Sequence, residues 1–174
     1  MNKNQKIFLF IQIVFGTLVP LSYVLGLGEN TDAMWGGVPN NIRPIYTVSM
    51  LISAAGFFVF STYTFLKVFK ESFTLPYCLK KWTIHLSYIL ILIPSALWIP
   101  LVNVMLEKPS DLIWFSIRTV LLLVALGTLS LLILILKAKK DKKDLFYSAT
   151  IFGLIWFLFH TGVLDAIIWP YLFK

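Results

Sequence analysis

Five apolar runs, each long enough to cross a bilayer, occupy nearly the whole chain. A spanning helix needs about 20 predominantly apolar residues, and runs of that length lie at Ile7–Leu27, Pro44–Phe69, Trp82–Met105, Asp111–Leu136 and Leu145–Phe173. What is left of the 174 residues is connections, too short to hold a nucleotide-binding or catalytic domain outside the membrane. Only 13% of residues are charged, against about a quarter in a soluble domain, which excludes a soluble globular enzyme. The runs are continuous, whereas β-barrel strands alternate apolar and polar residues over about ten positions. The expected fold is all-α: a single membrane domain over residues 1–174, built as a five-transmembrane-helix bundle.

Orientation follows from where the charge is kept. Basic residues are retained on the cytoplasmic side. They gather before the first run (Lys3, Lys6), around the second connection (Lys67, Lys70, Lys80, Lys81) and in the fourth (Lys137, Lys139, Lys140, Lys142, Lys143). The first connection has Arg43 against Glu29 and Asp32, and the third has Lys108 against Glu107 and Asp111. The pattern predicts a cytoplasmic N-terminus, an outside C-terminus and a long first outer loop, in a multi-pass protein of the bacterial inner membrane. The net charge of +7 is then a topology and lipid-headgroup signal rather than a nucleic-acid footprint. The first run is longer than the apolar core of a signal peptide, and Leu25-Gly26-Leu27-Gly28 matches a cleavage site poorly, so it reads as a retained helix.

Three ionisable groups lie inside the runs: Arg118, His160 and Asp165. Each is a functional pointer, because a charge at the centre of a spanning helix costs about 2.5–3.5 kcal/mol even on lenient insertion scales. A rise of about 1.5 Å per residue puts Arg118 and Asp165 both roughly 10 Å toward the outer face. Three readings follow: an Arg118–Asp165 packing clamp, an Arg118 that snorkels to headgroups, or ligand contact by one or both. His160 and Asp165 are five residues apart, about 140° around an α-helix, and are expected on different stripes. The same depth holds Ser22, Tyr23, Ser49, Ser53 and Trp98. Together these groups would line an outer-half cavity under the first loop, which contains Gly36-Gly37, Pro39 and Trp35 and reads either as a lid or as a solvated linker.

Among the tryptophans, Trp82, Trp114 and Trp169 fall near run ends, where interfacial belts are expected. Trp98 and Trp156 lie deeper and would suit the walls of a pocket for an apolar, planar ligand. Pro94 and Pro100 bracket Trp98 and are expected to kink or loosen the third helix. Cys78 is the single cysteine, so no intrachain disulfide forms and no thiol-based metal site is expected. Leu75 to Lys80 fits the loose L-x-Y-x-x-K cholesterol pattern, a weak signal in a cytoplasmic connection. No nucleophile–base arrangement, phosphate loop or metal-ligand spacing is present.

Short pieces of three runs resemble the tryptophan-rich sensory protein/translocator protein family (TspO/MBR). Pro44-Ile45-Tyr46-Thr47-Val48 is similar to its G-P-V-W-T-V stretch, with Pro39 similar to an upstream loop proline. Trp98-Ile99-Pro100-Leu101 resembles W-x-P-x-F. Trp156, Phe159, Leu164, Asp165 and Trp169 resemble W-x-x-F-x-x-x-L-N-x-x-x-W with one extra residue before the leucine. Arginine precedes Pro44 where the family has glycine, Tyr46 replaces a tryptophan, Asp165 stands where the family has asparagine, and Arg118 has no counterpart. The resemblance implies a five-helix protein, often dimeric, with a cavity closed by the first loop that binds porphyrins, sterols and related apolar ligands. It points to Tyr46, Trp98, Trp156 and Asp165, with Trp35 as a lid contact. The acid in place of asparagine either pairs with Arg118 or favours a cationic or hydroxylated ligand.

Three functional classes remain. The first binds, senses or translocates a hydrophobic planar molecule such as a tetrapyrrole, with no resident cofactor and membrane lipids as its other partners. The second is a proton- or solute-coupled transporter using Asp165, His160 and Arg118. The third is a structural membrane subunit. No residue is singled out as catalytic.

Overall fold

In a computed structural model of the chain, every residue is described except 27, 29–30, 71–73, 76–78, 139–143 and 174. Cys78, the centre of the Leu75–Lys80 pattern and most of the Lys139–Lys143 run lie outside the described residues. Five helices are long and apolar enough to cross a membrane: α1 (Lys3–Gly26), α3 (Arg43–Val68), α4 (Trp82–Glu107), α5 (Asp111–Lys137) and α6 (Leu145–Leu172). A four-residue helix, α2 (Thr31–Met34), lies in the first connection. The shortest spanning helix, at 24 residues, is about 36 Å long, enough to cross the roughly 30 Å hydrocarbon layer. Among the described residues there is no strand, as a chain in lipid requires when each backbone group must find its partner within its own segment.

The helix ends agree with the expected ones to within a few residues, and the differences have local causes. α1 starts at Lys3 rather than Ile7 because Asn2 and Gln5 form a reciprocal cap: Gln5 N donates to Asn2 Oδ1 (3.0 Å) and Asn2 N to Gln5 Oε1 (2.9 Å), which satisfies two amides at the helix start. The same side chains donate to the Phe69 and Phe65 carbonyls at the far end of α3 (2.6 and 3.0 Å). Ser110 caps α5 by accepting from Ile113 N, and Asp144 caps α6 by accepting from Phe146 N. α4 runs on through Pro94 and Pro100 as a continuous helix, where the prolines are expected to loosen it.

Two close crossings hold the bundle. α3 lies antiparallel to α6 along a seam in which Tyr46 meets Leu164, Ser49 meets His160, Gly56 meets Gly153 and Tyr63 meets Phe146. Small residues at the middle of that seam let the backbones touch, the usual way helices associate where no hydrophobic drive separates protein from solvent. A Cβ on Gly153 would lie 3.0 Å from Gly56 Cα. Gly127 does the same for α5 against α4, where a Cβ would lie 2.8 Å from Ser87 O. α1 rests along α4, not α3.

Aromatic rings fill much of the half of the bundle away from the first connection. Phe8, Phe57, Phe60, Phe69, Tyr88 and Phe157 pack ring on ring there, and buried Tyr88 donates to Thr64 Oγ1 (3.0 Å). This end also gathers the start of α1, the end of α3 and the start of α4, with Lys81 donating to the Lys70 carbonyl. Lys67 approaches Asp144 at 3.9 Å, bringing in the start of α6. Gly153→Ala is expected to lower stability by about 1–3 kcal/mol through overpacking, read as a lower melting temperature in detergent. Gly162→Ala, whose Cβ would meet nothing closer than 3.6 Å, should leave it nearly unchanged.

Candidate functional site

The α-helix of α6 widens at Phe159 and stays wide to Ile168. In this π-helical stretch hydrogen bonds run from i to i+5; the Trp169 amide, for example, donates to the Leu164 carbonyl. A residue five positions on therefore returns to nearly the same face, whereas in an α-helix it would sit about 140° away. His160 Nε2 and Asp165 Oδ2 consequently stand 3.5 Å apart, and the expectation that they occupy different stripes is overturned by the local pitch. His160 Nδ1 lies 3.1 Å from Ser49 Oγ, so α3 fixes the far side of the imidazole. Tyr46 Oη, one turn away on α3, donates to the Leu164 carbonyl (3.2 Å), and Trp156 Nε1 donates to the Ser49 carbonyl (3.3 Å).

Arg118 does not join this pair. It is exposed on the outward face of α5, in line with Phe115, Leu122 and Leu126, while Ile117, Leu121 and Val124 face inward. The Arg118–Asp165 clamp is thus replaced by a His160–Asp165 pair within one helix. Depth along two helices was compatible with the clamp; the angle around α5 is not. Seven residues from the start of α5, the guanidinium is within reach of an interface, as the snorkelling alternative requires.

The pair faces open space. A cavity of about 380 Å³ lies among α1, α3, α4, α5 and α6, with Tyr23, Ser53, Phe57, Trp98, His160 and Asp165 on its walls. A second of about 170 Å³, under the first connection, shares Tyr23, Met50, Trp98, His160 and Asp165 with it and adds Trp35, Tyr46 and Trp169. The two adjoin and make up one site, with the His160–Asp165 pair on the walls of both. Its size falls in the range of small-molecule pockets, about 300–1,000 Å³. The walls are mostly apolar, and Ser53 Oγ and Trp98 Nε1 are buried without a hydrogen-bond partner among the described residues. The side mouth lies between α1 and α3, where exposed Pro20, Leu51, Ala54 and Phe58 form its edges.

The first connection covers the end of the site. Met34 and Val38 are buried, Trp35 packs edge-on to Tyr46 at 5.9 Å, and Gly37 N donates to the Leu172 carbonyl (2.8 Å). Gly36 has a φ of +53° and sits so close to Phe173 that a Cβ would lie 2.9 Å from its Cα, a position that glycine alone adopts without strain. Trp169, read from the sequence as an interfacial belt residue, is 3% exposed, donates its Nε1 to the Met34 carbonyl (3.0 Å) and meets Trp98 edge-on at 5.7 Å. Its place four residues after Asp165, inside a run that resembles the family pattern, was the available signal.

Of the residues selected from sequence, Trp35, Tyr46, Trp98, His160 and Asp165 come together at the cavity. Trp156 lines neither part; it lies behind Ser49, half-buried, against the exposed rings of Phe152 and Phe159. Tyr23, Ser53 and Trp169 complete the site. Among the described residues no three His, Cys, Asp or Glu side chains are arranged to hold a metal. Comparison of the chain with protein-family models, with curated proteins and with solved structures finds no match in any of the three.

A double-mutant cycle separates the two pairings. His160→Ala and Asp165→Ala should couple by about 0.5–3 kcal/mol, whereas Arg118→Ala and Asp165→Ala should add to within about 0.5 kcal/mol. Melting temperatures of the purified single and double variants in detergent measure both.

Proposed function

We propose that this multi-pass membrane protein binds a hydrophobic, largely planar small molecule, of the tetrapyrrole or sterol-like class, for sensing or translocation. The observation that carries the reading is the cavity itself: an apolar, aromatic-walled space with a few polar groups at one place, beneath a tied-down loop. Such a combination of bulk apolar lining and a small number of orienting polar atoms is the general form of a small-molecule site. Indole and phenol rings offer large contact area to a flat ligand at low entropic cost. The resemblance of the residues around Tyr46, Trp98 and Asp165 to the TspO/MBR pattern supports the same class. The mouth between α1 and α3 lies at mid-helix, so a ligand dissolved in the bilayer reaches it without crossing the loop.

In this reading the N-terminus is cytoplasmic and the first connection outside, in the cytoplasmic membrane of a bacterium. The gathering of Lys3, Lys6, Lys67, Lys70, Lys80 and Lys81 toward the end opposite the first connection supports that orientation. The His160–Asp165 pair gives some support to proton-coupled solute movement as a second reading. Arg118 stands on the outward face and does not extend the pair into a chain, which favours binding.

Titration of the protein in detergent or nanodiscs with a porphyrin or a sterol-like fluorophore should quench tryptophan fluorescence saturably and raise the melting temperature. Trp98→Ala is expected to weaken binding about tenfold or more. Trp82→Phe, at an exposed position at the opposite end of the bundle, should leave the affinity unchanged. Non-saturable quenching with no thermal shift would remove the proposed function.

A further inference from the structure

We propose that the cavity selects a hydrophobic cation, an amphiphile whose ammonium group seats beside Asp165 while its apolar body fills the space toward Phe57 and Phe157. The inference rests on the hydrophobic, flat small molecule of the reading above and assigns it a cationic polar end in place of the carboxylates of a porphyrin or the hydroxyl of a sterol.

Charge balance is the first ground. Asp165 lines both parts of the site, with a side chain 19% exposed. No lysine or arginine is among the described lining residues, and Arg118, the one arginine inside a spanning run, faces outward. The group paired with Asp165 is His160, 3.5 Å away, whose second nitrogen is already engaged by Ser49. When the imidazole is neutral, an ionised Asp165 would stand uncompensated in a low-dielectric wall, and a bound cation is the partner that would stabilise that charge. A neutral ligand leaves that charge unmatched, and an anionic group placed there would be repelled.

The aromatic shell is the second ground. Tyr23 and Trp98 lie 6.1 Å apart, and Trp98 and Trp169 5.7 Å apart, around the space that Asp165 faces. The negative faces of tyrosine and tryptophan rings attract a cation within about 6 Å, and recognition of quaternary ammonium groups by such cages is the general case. The chain already uses one of these rings in this way: Arg43, paired to Asp32 at 2.9 Å, sits 5.6 Å over Trp35 at the rim. A carboxylate with converging tyrosine and tryptophan rings is complementary to a dispersed positive charge, and the apolar remainder of the cavity to a hydrocarbon body. The shared chemistry of a protonated amine and a quaternary ammonium is the same here, so a quaternary probe, which carries its charge at every pH, isolates it.

The test uses the full chain in zwitterionic nanodiscs, with empty discs as the reference, and three matched probes on one flat aromatic body. One ends in trimethylammonium, one in its uncharged tert-butyl isostere and one in a primary alcohol. Tryptophan quenching and thermal shift report binding. The expected result is that the ammonium probe binds at least about tenfold tighter than either neutral probe in the wild type, with the difference falling to within about twofold in Asp165→Asn. Tyr23→Leu should narrow the same difference while keeping the affinity of the tert-butyl probe, and because the three probes are compared on the wild type first, the outcome does not hang on the folding of a variant. Equal binding of all three probes to the wild type, or an unchanged ammonium preference in a folded Asp165→Asn protein, overturns the cation assignment and leaves the small-molecule reading standing. Absence of saturable binding by any of the three overturns both.

Discussion

The site depends on a change of helical pitch. A backbone in hydrocarbon has to bond to itself, so a spanning segment cannot open into a loop to bring two side chains together. It can pass from i→i+4 to i→i+5 bonding, which keeps the amides satisfied while turning the side chains to new angles. α6 does so over Phe159–Ile168, and α3 does so more briefly over Thr64–Val68. Without the first of these wide stretches His160 and Asp165 would point to different neighbours, and each would have to be satisfied separately. With it they satisfy one another in part, and Tyr46 and Ser49 on α3 hold the stretch in place.

Space in the bundle is distributed by the same economy of contacts. Glycine brings α3 against α6 and α5 against α4, while aromatic rings fill the half near the basic segments. α1 follows α4 and has close ties to α3 only at the far end, where Asn2 and Gln5 take up the last α3 carbonyls. Toward the first connection the two helices line opposite edges of the cavity. With close crossings at α3/α6 and α4/α5 and α1 laid along α4, the open volume lies beside Pro20 and Leu51, between α1 and α3.

The fold was legible because it is written in run length. Five apolar stretches near 20 residues admit few other structures, and the one helix end that departs by a full turn is the start of α1, where the Asn2–Gln5 cap extends it. The layer of polar and aromatic groups was legible as depth: Tyr23, Ser53, Trp98 and Asp165 do share a level. What linear arithmetic does not contain is the angle around each helix. Arg118 has a depth that suits Asp165 but an outward direction, and nothing short of knowing which face of α5 packs inward reveals it. His160 departs from the expected direction for the opposite reason, since Phe159–Ile168 does not keep 3.6 residues per turn. Trp169 lies near the end of an apolar run, and such nearness does not distinguish a ring in the headgroups from one folded under a loop.

The helix that carries the pair also fastens the cover. Beyond the wide stretch, α6 continues through Trp169, which holds the Met34 carbonyl, to Leu172, which receives the Gly37 amide. Asp165 lies between these anchors and His160, about one turn of the wide helix from His160 and from Trp169. If the stretch reverted to α-helical pitch, every side chain after the transition would rotate relative to α3, so the His160–Asp165 contact and the seat of Trp169 under the loop would be lost together. The charge in the wall and the loop above it are therefore set by one segment of backbone, and a substitution that alters its pitch acts on both.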